Sequence, residues 1–360
     1  MDLTYGAEAE AFREHVRAFL KENWTPKSVE RAAMSAYVSA FRLRATEAGY
    51  LYRGIPKEFG GSEQAPDVIM AQVIREEFAR AYAPMEVAGN GMNMLVPTLL
   101  ERGTQKQKDL FIRPTMAGEY VWGQGYSEPG TGSDLASVRT KGELKDGKWI
   151  INGQKIWTSQ GGKATHMFAL IRTEPDAGKH DGISYLLIDL NQPGITRSPI
   201  RQMTGESGFY EFFFDNAETP ADWIVGERGE GWNVSRTTLK HERASIGSAA
   251  GLGGQFDKLV ELAKEVQRNG RPAIEDPLIR EALGKIEGWV MAHRYSSYRI
   301  MSNAIAGETA GNITLMMKLL LTEIGHDMAL TAQDILGDEA LIEPAPAGMR
   351  GRGPEKWLDQ

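Results

Sequence analysis

Three stretches hold residue types that can do chemistry. The first is Gln124-Gly125-Tyr126-Ser127-Glu128-Pro129-Gly130-Thr131-Gly132-Ser133-Asp134. Two glycines flanking a small residue, followed by Ser-Asp, can turn successive backbone N–H groups towards an anion. The same pattern also closes ordinary hairpins, and it lacks the third glycine and strand-to-helix setting of a dinucleotide fingerprint. The second stretch is Asn152–Gly162, where Trp157 stands beside Thr158 and Ser159. An indole next to two hydroxyls at a strand end can flank an aromatic ring and hydrogen-bond its heteroatoms, and it can equally fill a β-domain core. The third is Leu239-Lys240-His241-Glu242-Arg243-Ala244-Ser245-Ile246-Gly247, a helical pattern with Leu239, Arg243 and Ile246 on one face. Neighbouring Glu and Arg on a helix are ordinarily solvated. Flanks that turn apolar and small can instead desolvate Glu242 partly, which raises its basicity.

Composition removes several other chemistries. The 360 residues contain no cysteine, which excludes disulfide frameworks, zinc–thiolate sites, iron–sulfur clusters and cysteine nucleophiles. Six histidines, none in a close His-x-x-x-His pair, give a metal hydrolase little to build on. A formal charge of −7 argues against a nucleic-acid binder that works by neutralising phosphates. With 41% hydrophobic and 25% charged residues, the chain reads as a globular protein of two or three domains. No run approaches the ~18 apolar residues of a membrane span. Met1–Glu10 carries three acidic side chains and no basic one, unlike a signal or transit peptide. A cytoplasmic location is expected.

The elements that must position these stretches change in character along the chain. Phe12, Val16, Phe19 and Leu20 share one face of a helix that should end before Pro26. Further helical patterns cover Ala32–Glu47, Val68–Ala81, Met85–Arg102 and Gln105–Ala117, the last with Thr104 as N-cap. From Glu119 to about Trp232 the pattern is β. Asp146-Gly147 and Asn152-Gly153 predict hairpins, with strands at Lys148–Ile151, Gln154–Ser159, His166–Ile171, Ile183–Leu190 and Phe209–Phe214. Helices return over Asn233–Gln267, Asp276–Ala306 and Ala310–Leu336. The order predicts an α+β multidomain fold: an N-terminal helical domain (1–118), a middle antiparallel β-barrel or sandwich (119–228) and a C-terminal helical bundle (229–360).

Taken in order over nearly the whole chain, these features resemble the acyl-CoA dehydrogenase family of flavoproteins. The N-terminal part contributes Gly54–Gly61, Arg75-Glu76-Glu77 and Gly103–Lys108. Tyr126–Asp134, Ile151–Lys163, Glu211–Asp215 and Gly226–Trp232 carry the densest likeness. The resemblance implies FAD between the β domain and a C-terminal four-helix bundle. Gln124, Tyr126, Ser127, Gly132 and Ser133 would line the flavin and its pyrophosphate, with Ser133 also near the acyl-CoA. Trp157, Thr158 and Ser159 would cover the isoalloxazine. Ser127 and Ser159 stand where the family commonly has threonine, which keeps both hydroxyls. Glu242 matches a family position for the catalytic base, directly before an arginine, and Arg243 would be the substrate-side or structural cation. On the adenine side the resemblance points to Arg268, Gln333 and Gly337. There Asn269-Gly270-Arg271-Pro272 departs from the family pattern, and Asp338 replaces a glycine of a Gln-x-x-Gly-Gly motif. The family usually continues past the point matching Gln360, with a loop and last helix at the site.

The implied reaction is α,β-dehydrogenation of an acyl-CoA to the trans-2-enoyl-CoA, with electrons passed to an electron-transfer flavoprotein. The implied assembly is a homo-oligomeric dimer of dimers, or a hetero-oligomer. Two other readings share the fold: a flavin monooxygenase or acyl-CoA oxidase, and a non-catalytic subunit supporting a partner's site. Small residues at Gly247–Gly251 hint at room for a bulky or branched acyl group.

Overall fold

The computed structural model describes residues 5–203, 205–246, 252–309 and 311–342, with side chains for all of these except 243–246, 301, 304 and 305. The chain packs as two compact units, 1–242 and 243–360.

The first unit opens with α1 (Ala7–Asn23), α2 (Met34–Glu47) and α3 (Val68–Arg80). α1 buries Val16 and Leu20, the face expected from the apolar spacing, and has ended when Pro26 starts a 3₁₀ turn. Its polar edge is fixed to α3. The buried Glu77 carboxylate accepts from Arg13 at 2.8 Å and Arg17 at 2.9 Å, with Arg80 at 3.4 Å. The helix expected from Met85 begins only at Gly91, as a π turn (Gly91–Leu95) that runs into α4 (Val96–Arg102). Pro97 explains the wider turn, because it has no N–H to continue the i→i+4 ladder. α5 (Gln105–Ala117) starts in a full capping box between Thr104 and Gln107 and stops at Gly118, φ 80°.

The sheet of this unit contains β1 (Trp122–Gly125), β2 (Lys141–Lys145), β3 (Lys148–Ser159), β4 (His166–Arg172), β5 (Ile183–Asp189), β6 (Ile195–Ile200), β7 (Phe209–Pro220) and β8 (Ile224–Val225). Its order is β6-β7-β3-β2-β4-β5-β8, and β1 lies parallel to β4. β4 and β5 are apolar runs because both of their faces are covered. Phe168, Leu170, Tyr185 and Leu187 join the core of the N-terminal helices. Met167, Ala169, Ile171, Leu186 and Ile188 join a second core with Trp149, Ile151 and Phe212.

Of the two expected hairpins, one forms. Asp146 (φ 50°) and Gly147 (φ 77°) make the β2–β3 turn. Asn152-Gly153 does not turn the chain: β3 runs straight through it, and the register against β7 slips there instead. Gly153 serves another need, because a Cβ would sit 2.7 Å from the Thr140 backbone.

α6 (Gly231–Ile246) leads out of the first unit. The second unit contains α7 (Leu252–Glu265), the short pair β9 (Gln267–Arg268) and β10 (Arg271–Pro272), α8 (Pro277–Ile305) and α9 (Ile313–Leu336). Of the helix expected over Asn233–Gln267, α6 and α7 are the parts on either side of Gly247–Gly251, which lie outside the described residues; the helix has ended at Glu265, before β9. Leu259, Leu262, Ile286, Val290, Ile324 and Ile335 form its core. Asn269 (φ 54°) and Gly270 (φ 78°) make a type I′-compatible turn between β9 and β10.

Candidate active site

The Gln124–Asp134 strip leaves the end of β1 and lies against the second half of β3. Three bonds fasten it there. Thr158 Oγ1 donates to the Gln124 carbonyl at 3.1 Å, Lys155 Nζ to the Tyr126 carbonyl at 3.3 Å, and the Ile156 N–H to the Ser127 carbonyl at 2.9 Å. Ile156 can reach Ser127 because β3 is bulged there: Lys155 pairs with Phe212 and Thr158 with Tyr210, so one extra residue opposes β7. The bulge puts Trp157 at φ 63°, a left-handed conformation rare for a large side chain, and leaves its indole 56% exposed. A tryptophan held in strain with its ring outside the core fits the covering role and not the core-filling one.

Beneath the strip lies a buried ion pair that the sequence reading passed over. Lys155 is fully buried; its ammonium donates to Glu128 Oε1 at 2.8 Å and to the Leu170 carbonyl at 2.7 Å. Glu128 also accepts from the backbone N–H groups of Arg139 (2.7 Å) and Thr140 (2.9 Å). Burial alone would raise the Glu128 carboxyl, but the Lys155 charge and these donors hold it below its ordinary range. Burial pushes Lys155 down to about 8, so at neutral pH it is still an ammonium. The signal was in the pleat: Trp149, Ile151, Gly153 and Lys155 share parity on β3, which aims a lysine inward.

Glu128 and Thr131 exchange both backbone bonds around Pro129-Gly130. Neither Gly130 nor Gly132 needs a left-handed dihedral, and each has open space where a Cβ would stand. They therefore present bare backbone, as close approach by a phosphate requires. Ser133 is exposed beside them, and Ser127 is half-buried. Lys179 pairs with Asp134 at 2.6 Å and Ser137 donates to it, which holds that carboxyl below its ordinary range.

Tyr126 and Thr158 point away from this surface. Thr158 is fully buried against Gln124, and the Tyr126 ring is buried against Phe168 and Tyr185. Each can offer a cofactor only its backbone. The Tyr126 phenol faces α6, where burial first and the charge of Glu242 in addition push its ionisation up. Glu242 itself is half-buried on α6, one turn after the fully buried Thr238. The structure thus brings together Gln124, Tyr126, Ser127 and Trp157–Ser159, and places Glu242 on α6 on the side of the Tyr126 phenol. α6 is held to α4 by Thr98–Thr238 (3.0 Å), Arg102–Thr237 (3.3 Å) and His241–Glu101 (2.7 Å).

Three domain models of one family match this chain in order. They are the acyl-CoA dehydrogenase N-terminal domain over residues 6–119, the middle domain over 123–217 and the C-terminal domain over 229–356. The chain belongs to the acyl-CoA dehydrogenase family. It is accordingly an FAD-dependent oxidoreductase acting on CH–CH bonds. It is 37% identical over 349 residues to the acyl-CoA dehydrogenase IpdE1 of Mycobacterium tuberculosis, covering 94% of this chain and 88% of that one. Among solved structures it resembles the ChsE4-ChsE5 complex from Mycobacterium tuberculosis, at 26% identity and a TM-score of 0.76, covering 99% of this chain and 92% of that one. It resembles equally the Tcur3481-Tcur3483 steroid ACAD, at 27% identity and a TM-score of 0.76 over the same shares.

In the second unit, Arg268 donates to the Asp334 carbonyl at 2.9 Å, which puts it beside Gln333 near the end of α9. The motif match there needs correction. Three residues separate Gln333 from Gly337, one too many for Gln-x-x-Gly-Gly. Gly337, φ 60°, ends α9, so its glycine answers a helix stop. The Arg243 side chain lies outside the described residues. Among the described residues, no helix is long and apolar enough to cross a membrane.

Proposed function

We propose that this chain dehydrogenates an acyl-CoA thioester to its trans-2-enoyl product, with Glu242 as the base. The reading is supported by the bulged strand and strip that carry Ser127, Trp157 and Ser159, and by Glu242 on α6 near the phenol of Tyr126, a residue of that strip. These residues fit a flavin: an exposed indole for the ring, hydroxyls at Ser127 and Ser159 for its heteroatoms, and open backbone at Gly130–Ser133 for the pyrophosphate. Bound FAD supplies the acceptor for the Cβ hydrogen. Arg268, Gln333 and Gly337 are the proposed adenine-side contacts, offered, as in the family, to a neighbouring subunit's cofactor.

The chain's own work is proton removal and positioning. The Cα–H of a thioester is a weak acid, so its loss needs a carboxylate in place and donors aimed at the carbonyl oxygen as charge develops there. Glu242, partly withdrawn from water on α6, supplies the carboxylate. Ser133 and Arg243 are the proposed substrate contacts. The electron acceptor in this proposal is an electron-transfer flavoprotein. One structural relative is the ChsE4-ChsE5 complex and another the Tcur3481-Tcur3483 steroid ACAD, which supports a steroid-derived acyl group and a second-chain partner for this protein.

The test is the anaerobic visible spectrum of the purified protein with a panel of acyl-CoA thioesters. Near one flavin per chain, bleached by a steroid-derived thioester, is expected. Glu242→Gln should keep its flavin and slow flavin reduction by ~10²-fold or more. Reduction at the parent rate would remove Glu242 from the mechanism, and a flavin that no thioester bleaches would favour oxygen-using relatives.

A further inference from the structure

The N-terminal helices enclose a cavity that shares no residue with the site proposed above. Its volume is about 380 Å³, and it lies between α2, the 3₁₀ turn Lys57–Phe59 and the end of α5. α2 turns one face to it: Ser39, Arg42, Leu43 and Thr46 follow the i, i+3, i+4, i+7 spacing of neighbours on a helix. Tyr52 and Phe59, both buried, line it with Val87 and Met116. These walls are braced against collapse. The Tyr52 phenol donates to the Met116 carbonyl at 3.0 Å and accepts the Val87 N–H at 3.1 Å, which ties two of them together. The Tyr52 N–H donates to Glu86 at 2.7 Å and fixes the ring's own backbone. A preformed cavity of this size with apolar walls and a few polar groups is the usual form of a small-molecule site.

The polar groups are two guanidinium ions. Arg42 Nε donates to the Met85 carbonyl at 2.8 Å, and Arg113 Nη2 donates to the Glu58 carbonyl at 2.6 Å. Gly60, at φ 94°, leaves the room that Arg113 occupies, since a Cβ there would meet Nη1 at 3.2 Å. Each arginine is thus oriented by one backbone oxygen, and neither has a carboxylate partner among the described residues. A guanidinium has five N–H donors, so most of each remains to be used. Glu119 is the only carboxylate among the described lining residues, and two arginines against one glutamate leave one positive charge.

These features select a ligand. A carboxylate matches the guanidinium fork with two parallel N–H bonds and brings the one negative charge that balances the lining. An ammonium would meet like charge, and a neutral ligand would leave the donors unpaired. The apolar walls require a hydrocarbon body behind the acid group. We propose that this cavity binds a compact hydrophobic carboxylate, its acid group on Arg42 and Arg113 and its body against Tyr52, Phe59, Val87 and Met116.

The experiment is calorimetric titration of the purified holoprotein with octanoate, octan-1-ol and octylamine. Octanoate should bind once per chain and at least about tenfold more tightly than octanol, and octylamine should not bind. Arg42→Gln and Arg113→Gln each remove hydrogen bonds to a charged group and should each weaken octanoate by about tenfold or more. Leu43→Glu, at a position already 62% exposed, adds a negative charge to the same face of α2 and should abolish binding without disturbing the core. Arg31→Gln, at an exposed arginine outside the cavity, should change nothing. A parent protein that does not take octanoate, or takes it no more tightly than octanol, would overturn the proposal. So would an octanoate affinity unchanged in Arg42→Gln, Arg113→Gln and Leu43→Glu. Octanoate that an acyl-CoA displaces, with these three variants binding like the parent, would place it in the catalytic cleft instead.

Discussion

Replacing Lys155 by Met tests whether the strip proposed to face the flavin is held from beneath. The substitution fills the same channel but removes an ammonium with three oxygen acceptors: Glu128, Leu170 and Tyr126. Glu128, 8% exposed, would keep only its two backbone donors. Removing one member of a buried pair costs about 3–5 kcal/mol, and the surviving N–H donors put this case near 3. Lys155→Met/Glu128→Gln removes the stranded charge and should recover at least about 1.5 kcal/mol of that loss. The assay is urea unfolding of the holoprotein by near-UV circular dichroism, alongside flavin release. Flavin should leave the single variant at lower urea than the fold does, because the strip loosens first. A loss under about 1 kcal/mol, or a double variant no better than the single, would refute the reasoning.

Two further outcomes follow from the same geometry. Glu77 would be raised by burial, but the hydrogen bonds from Arg17 and Arg13 hold it below its ordinary range; Glu128 is depressed likewise. For a carboxyl depressed in the folded state, the stability it contributes is complete above the unfolded value of about 4.5 and is lost as pH falls through the folded one. Urea midpoints between pH 6 and 3 should therefore fall, and Glu77→Gln should flatten the fall while lowering the plateau. Trp157→Gly relieves a left-handed residue, so the flavin-free protein should melt no lower than the parent. Flavin binding, titrated by fluorescence, should weaken by about tenfold with the stacking surface gone.

The helices were legible because their signals are local. The Val16–Leu20 face, the Thr104–Gln107 box and Pro26 each act within a few residues, and each appears where the spacing puts it. The misreadings came from contacts distant in sequence. Asn152-Gly153 carries a hairpin signal, yet a strand 64 residues away receives it: Asn152 caps the bulged Asn216 of β7 through its side chain. The late start of the helix before α4 depended on Pro97 and on Gly91, whose missing Cβ admits Thr115 and Trp122 at 2.7 Å.

The site shows the same division. Ser127, Ser133, Trp157 and Glu242 enter the proposed site on their types and order, which are chemical statements. What was hidden is how they are held. Thr158 reads as a ligand contact beside Trp157, but its hydroxyl fixes Gln124; Tyr126 reads as flavin lining, but its phenol faces α6. In both cases the side chain is turned into the protein, leaving only the backbone to face the proposed cofactor. That arrangement has a physical reason. A strained tryptophan and an open glycine strip contribute nothing to their own stability, so the bonds that fix them must come from the buried side. Lys155, Thr158 and Ile156 supply them on successive turns of the bulge, within four residues of one another. A sequence pattern shows the residues turned outward to meet a ligand; the inward ones become readable only once the pleat and the bulge say which way each side chain points.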